Sequence, residues 1–86
     1  MAAQADLDGW VHDALIALGG HGSIVDVCKY IWKNHERELR DSGDLFYKWQ
    51  YDMRWAADHL RRAGIMKSAT ASPKGLWELS KLKPRR

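Results

Sequence analysis

Residues 45–79 leave this chain few ways to fold. They read as one long helix, a glycine stop, a short apolar strand, a turn of small residues carrying a single Lys, and a second short strand through Trp77. Within LFYKWQYDMRWAADHLRRAG, the residues Trp49, Met53, Ala56, Leu60 and Ala63 recur at helical spacing and predict an inward stripe. Phe46 belongs with Trp49 in the core on this reading, and Trp55 and Leu60 border the stripe. Tyr47, Lys48, Gln50, Tyr51, Arg54, Asp58 and Arg61 fall on or beside the opposite face. After Gly64, residues 65–68 suit a strand, residues 71–75 are turn chemistry with Pro and Gly, and residues 76–79 return. Trp77 and Leu79 alternate with Glu78, as a half-buried strand requires.

The first half supplies two more helices. Residues 1–6 form a lead, and Asp6 or Asp8 is placed to cap a helix running to Leu18. Leu7, Val11, Ala14, Leu15 and Leu18 share one side of it. Gly19 and Gly20 stop it, and His21-Gly22 makes a turn. Ser23 then opens a second helix, with Asp26 in the acidic position of a capping box. Ile24, Val27, Cys28, Ile31, Trp32 and Leu39 supply its inward side, and residues 33–40 its charged last turns. Asp41 and Asp44 offer caps to the third helix.

The order is therefore helix, helix, helix, strand, strand. A two-stranded hairpin is not stable alone, so it must pack on the helices. The expected fold is mainly α: a winged helix-turn-helix of three helices followed by a two-stranded β-hairpin wing. It occupies residues 7–80, with residues 81–86 a basic tail.

Charge sorts along the chain. The net charge is +3. Residues 1–44 hold four Lys and Arg against eight Asp and Glu, whereas residues 45–86 hold ten against three. A domain polarised in this way offers one attractive side to a polyanion. The bland alternative is a solvated surface with a loose basic tail. One cysteine permits no internal disulfide and suits a reducing compartment. No apolar run is long enough to span a bilayer, and the early acids of MAAQADLDG do not suit a secretory signal. A cytoplasmic place at the nucleoid is expected, without a membrane.

Tyr47, Lys48, Gln50, Tyr51 and Arg54 occupy the first turns of the third helix, the part of a groove-bound helix that meets base edges. Arg pairs bidentately with guanine and Gln with adenine, while Lys and Tyr reach phosphates or bases. Arg61 extends the row. Thr70, Ser72 and Lys74 mark the wing tip, with Lys74 suited to a phosphate. Lys81, Lys83, Arg85 and Arg86 add a basic tail that suits a minor groove or non-specific attraction. Against this stand an ordinary polar helix face and a solvated turn Lys. Asp52 and Asp58 interrupt the basic face, and Asp58 is spaced to pair with Arg54, Arg61 or Arg62.

No catalytic site is expected. His12, His21, His35 and His59 lack metal-ligand spacing, and His35-Glu36 lacks the second His of a zinc-protease helix. Cys28 shares a side with Ile24 and Ile31 and reads as core. Asp6, Asp8 and Asp13 have no Lys in a nuclease pattern. No cofactor and no metal are implied.

Met53-Arg54-Trp55-Ala56, Leu60, Arg62-Ala63-Gly64-Ile65 and Gly75-Leu76-Trp77-Glu78-Leu79-Ser80 together resemble the N-terminal winged-helix domain of Mrr-type restriction proteins. There a WA…L..AG helix leads into a G.W.L wing strand. The resemblance spans roughly residues 7–80 and is most specific in the third helix and wing. It implies double-stranded DNA binding by those two parts in a restriction or defence setting. Nuclease activity belongs to a separate domain of that family and is not implied.

The expected function is thus non-catalytic double-stranded DNA binding, with the third helix in the major groove, the wing on the backbone, and room for a preference in sequence or base modification. The rival is a protein-interaction module of the same fold, since interfaces also favour aromatics and Arg. A homodimer or a larger protein partner is compatible with either.

Overall fold

The computed structural model describes residues 4–68, 70 and 74–80. Residues 1–3 of the expected lead at 1–6, most of the expected wing turn, including Ser72, and the basic tail at 81–86 lie outside the described residues, and Asp6 of that lead is already helical. The chain runs α1 (Asp6–Ala17), β1 (His21–Ser23), α2 (Ile24–Arg40), α3 (Leu45–Arg62) and β2 (Leu76–Glu78). The result is a mainly helical fold with one two-stranded antiparallel sheet, a layout compatible with a winged helix.

Helix α1 begins differently from expectation. Ala5 holds the cap position and no side chain caps the helix, so Asp6 and Asp8 act from within the first turn. There their charge favours the positive end of the helix dipole. The stop is as expected: Gly19 and Gly20 take φ of 92° and 103°, a region open to glycine, and the Gly20 amide donates to the Leu15 carbonyl at 2.7 Å.

His21 and Gly22 are not a turn but the start of β1. β1 pairs antiparallel with β2, placing His21 opposite Glu78, Gly22 opposite Trp77 and Ser23 opposite Leu76. A Cβ at Gly22 would lie 2.8 Å from Leu18 Cδ1, so the missing side chain lets the end of α1 close over this strand. Residues 65–68 form no regular strand. Met66 makes a single antiparallel bridge with Leu79, flanked by hydrogen bonds from the Lys67 amide to the Glu78 carbonyl and from the Ser80 amide to the Ile65 carbonyl. The expected hairpin is therefore reduced to that bridge, and the regular partner of β2 is β1. This follows from topology: β1 lies beside β2 in space although the two are at opposite ends of the sequence.

Ser23 caps α2 as expected, its Oγ accepting from the Asp26 amide at 3.0 Å. The helix kinks at His35, whose φ is −133°. The Trp10 ring from α1 stacks on His35 there, with centroids 3.8 Å apart and planes within 8°. Beyond the kink Leu39 still reaches the core. Asp44 precedes α3 without a side-chain cap bond, so neither Asp41 nor Asp44 fills the capping role expected of it. Amides of Leu45, Phe46 and Tyr47 instead reach back to the carbonyls of Ser42, Gly43 and Asp44. This tight first turn satisfies donors a cap would otherwise take. Gly64, at φ 80°, ends the element.

One core joins all elements. Leu7, Val11 and Leu15 meet Val27 and Ile31, with Trp49, Met53, Ala56 and Leu60 of α3, and Met66, Trp77 and Leu79 from the sheet side. Each large side chain so buried contributes about 1.5–3 kcal/mol relative to exposure. Three assignments on α3 change. Ala63 is exposed, Trp55 is 39% exposed, and Asp52 is 4% exposed. Asp52 therefore belongs to the packed side and does not interrupt the outer face. No helix among the described residues is long and apolar enough to cross a membrane.

Candidate nucleic-acid interface

The outer surface of α3 follows from its packed side. With Trp49, Met53, Ala56 and Leu60 turned inward, helical periodicity puts Tyr47, Tyr51, Arg54 and Asp58 in one row on the far side. Tyr47 and Tyr51 are 85% and 77% exposed. Lys48 and Gln50 flank this row and are also exposed. The row thus offers two phenol hydroxyls, an amide, an ammonium and a guanidinium.

The acid on this face is already occupied. Asp58 Oδ2 lies 3.0 Å from Nη2 of Arg62, one turn further along. Of the three pairings the spacing allowed, the structure selects Arg62. Arg54 makes no ion pair or hydrogen bond within the described residues, so its guanidinium has all its donors available.

Arg61 has a different setting. It is half-buried, and its Nε donates to the Lys67 carbonyl at 3.1 Å. It thereby ties the end of α3 to the segment that follows Gly64. Lys67 reaches Glu78 at 3.7 Å across that segment. Thr70 Oγ1 lies 3.1 Å from Ser68 Oγ. Lys74 is exposed, just before Gly75. The structure therefore groups Tyr47, Lys48, Gln50, Tyr51 and Arg54 on one helix surface. Thr70 and Lys74 stand apart, in the connection between α3 and β2.

The histidines do not converge. His35 stacks on Trp10 and lies 2.9 Å from Glu38, while His59 meets Asp8 at 3.1 Å and the Trp55 ring at 3.8 Å. Among the described residues no group of three or more His, Cys, Asp and Glu is arranged to hold a metal ion. Cys28 sits 3.9 Å from Met53 Sδ, and burial pushes its thiol up from the ordinary value. Such a thiol is a poorer nucleophile at neutral pH, because less of it is thiolate.

Sequence reasoning missed a second cationic surface. All four Lys and Arg of residues 1–44 lie on α2, at Lys29, Lys33, Arg37 and Arg40. All four are exposed; Lys33, Arg37 and Arg40 come together across the kink at His35, with Glu36 among them and paired to Arg40 at 2.8 Å. Their place on one helix is legible in the sequence, but a sum over the first half hides it beneath eight acids. Beside these cations, Cys28, Lys29, Trp32, Phe46, Trp49 and Gln50 line a recess of about 410 Å³ between α2 and α3. Comparison with family models, with curated proteins and with solved structures returns no match for this chain.

Proposed function

We propose that this chain is a non-catalytic winged-helix module that binds double-stranded DNA. In this reading α3 enters the major groove and the segment from Gly64 to Ser80 is the wing, lying on the backbone. The observation that carries it is the outer row of α3: two strongly exposed tyrosines beside an Arg54 that has no partner among the described residues, with the nearby Asp58 held by Arg62. Helices that read grooves present this kind of surface, long donors and acceptors on one exposed side of a rigid element.

Lys48 and Lys74 would meet phosphates, and Gln50 and Arg54 base edges. The WA…L..AG helix and G.W.L strand support a place among N-terminal winged-helix domains of Mrr-type restriction proteins. That place would bring a restriction or defence setting and leaves room for a preference in sequence or base modification. The exposure of Trp55 beside Tyr51 favours a second reading, in which the same surface docks a protein.

Salt separates the two. Contact with about four to six phosphates gives a log–log salt slope of about −4 to −5. Fluorescence anisotropy with plain and base-modified duplexes, at salt from about 50 mM upward, measures it. A flat salt response, or no binding at the lowest salt, refutes the DNA reading.

A further inference from the structure

The recess between α2 and α3 has a composition of its own. Three aromatic rings form its walls. Trp32 and Trp49 are nearly parallel, 7° apart with centroids at 6.1 Å, and Phe46 leans on Trp32 at 6.3 Å. Above them, the Arg40 guanidinium lies 5.3 Å from the Trp32 ring centroid and 5.9 Å from that of Phe46. Lys29, Gln50 and Cys28 complete its lining. No acid lines the recess. Arg40 itself is paired with Glu36 at 2.8 Å. The volume of about 410 Å³ falls in the range of small-molecule clefts, about 300–1,000 Å³.

These features select a ligand class. Ring faces take a planar ring by stacking. A cationic ligand is disfavoured, because Lys29 and Arg40 already border the aromatic walls. A purely apolar side chain would leave the Gln50 amide and the Lys29 ammonium without use. A nucleobase satisfies both: its face stacks on the partly exposed Trp32 and Phe46 rings, with Trp49 buried beneath them, its polar edge meets the amide, and its flanking phosphates meet the cations. The exposed cations Lys29, Lys33, Arg37 and Arg40 continue along α2, as a track for the attached backbone. Aromatic platforms beside a cationic track are how proteins hold unstacked strands.

We infer that the α2–α3 recess is a pocket for one unstacked nucleobase, with the α2 cations holding its neighbouring phosphates. The inference rests on the proposed nucleic-acid reading and uses a surface next to the outer row of α3, with Gln50 at the border of the two. The base has two sources, a nucleotide displaced from a duplex or a single strand.

The test compares three probes sharing one strand sequence: a fully paired duplex, the same duplex with one unpaired 2-aminopurine, and the single strand. Anisotropy gives affinity, 2-aminopurine emission reports stacking, and the indole N–H signals of Trp32 and Trp49 report occupancy without mutation. Preference for the bulged duplex by about tenfold, with quenched emission and shifted indole signals, is expected for a displaced base. The same signals with the single strand alone assign the pocket to single-stranded nucleic acid. Lys29→Gln, at an exposed position outside the core, is expected to remove most of the preference while changing paired-duplex affinity by less than about threefold. Equal affinity for paired and bulged duplexes, with unmoved indole signals in all three probes, overturns the inference and leaves the reading of α3 intact. Failure to bind either duplex, with single-strand binding and shifted indoles, overturns the α3 reading and leaves the pocket.

Discussion

Arg54 and Lys74 divide the work of reading from that of anchoring. Arg54 stands on the outer row of α3 with no partner among the described residues, whereas Lys74 stands in the connection to β2. If Arg54 grips a base, Arg54→Ala should cost about 1–3 kcal/mol on a preferred duplex and flatten the preference among duplexes. Lys74→Ala should instead weaken all duplexes alike and reduce the salt slope by about one unit. Gln50→Ala should resemble Arg54→Ala in milder form. An unchanged ratio between best and random duplexes for Arg54→Ala contradicts the assignment. Asp58 is informative in the other direction. It is held by Arg62, so Asp58→Ala removes a negative charge from the outer face without releasing Arg54. It is predicted to raise affinity for all duplexes and leave the preference unchanged, as competition among duplexes would show. Asp52 carries a stability prediction. Its carboxylate is buried and Oδ2 has no hydrogen-bond partner. A buried unsatisfied polar atom costs about 1–3 kcal/mol. Asp52→Leu puts an apolar group of similar shape in place of the unsatisfied atom and should raise the melting temperature by several degrees, about 4–8 °C per kcal/mol in a domain of this size. A lower melting temperature contradicts this account of Asp52.

At the scale of elements, two tryptophans separate packing from surface. Trp77 on β2 is buried opposite Gly22, but Trp55 on α3 is partly exposed and leans on His59. Trp77→Ala should cost about 3–5 kcal/mol, a large part of the stability of a small domain. Trp55→Ala should cost much less, and thermal melts of the two variants compare them directly. Equal losses would show that Trp55 supports the core after all. The helices were legible because each signals itself locally. Trp49, Met53, Ala56 and Leu60 mark the α3 period, Ser23 caps α2, and Gly19, Gly20 and Gly64 mark stops. β1 was not legible, because His21, Gly22 and Ser23 carry no alternation and become a strand only by pairing with β2. Asp52 and Ala63 were misplaced for a related reason. Periodicity locates the centre of a buried stripe, but its edges depend on which neighbours pack there, and α1 and α2 set those edges.

Across the whole molecule, positive charge is less polarised than the two sequence halves suggest. The acids of residues 1–44 outnumber the cations, yet those cations all lie exposed on α2. The protein therefore carries a cationic surface on each of its two longer helices, with an aromatic recess between them. The outer row of α3 was legible as a set of residues, because helix spacing alone groups them. The recess was not, since Cys28, Lys29 and Trp32 meet Phe46, Trp49 and Gln50 only when α2 packs on α3. The central claim is that duplex DNA is bound by the outer row of α3. The most direct measurement is a backbone-amide and side-chain NMR shift map of the protein with a fully paired duplex. The account predicts the largest shifts at Tyr47, Lys48, Gln50, Tyr51 and Arg54, with smaller ones at Lys74, and little change along the outer side of α1. Saturable binding that leaves Tyr47, Tyr51 and Arg54 unmoved while shifting another surface would contradict it.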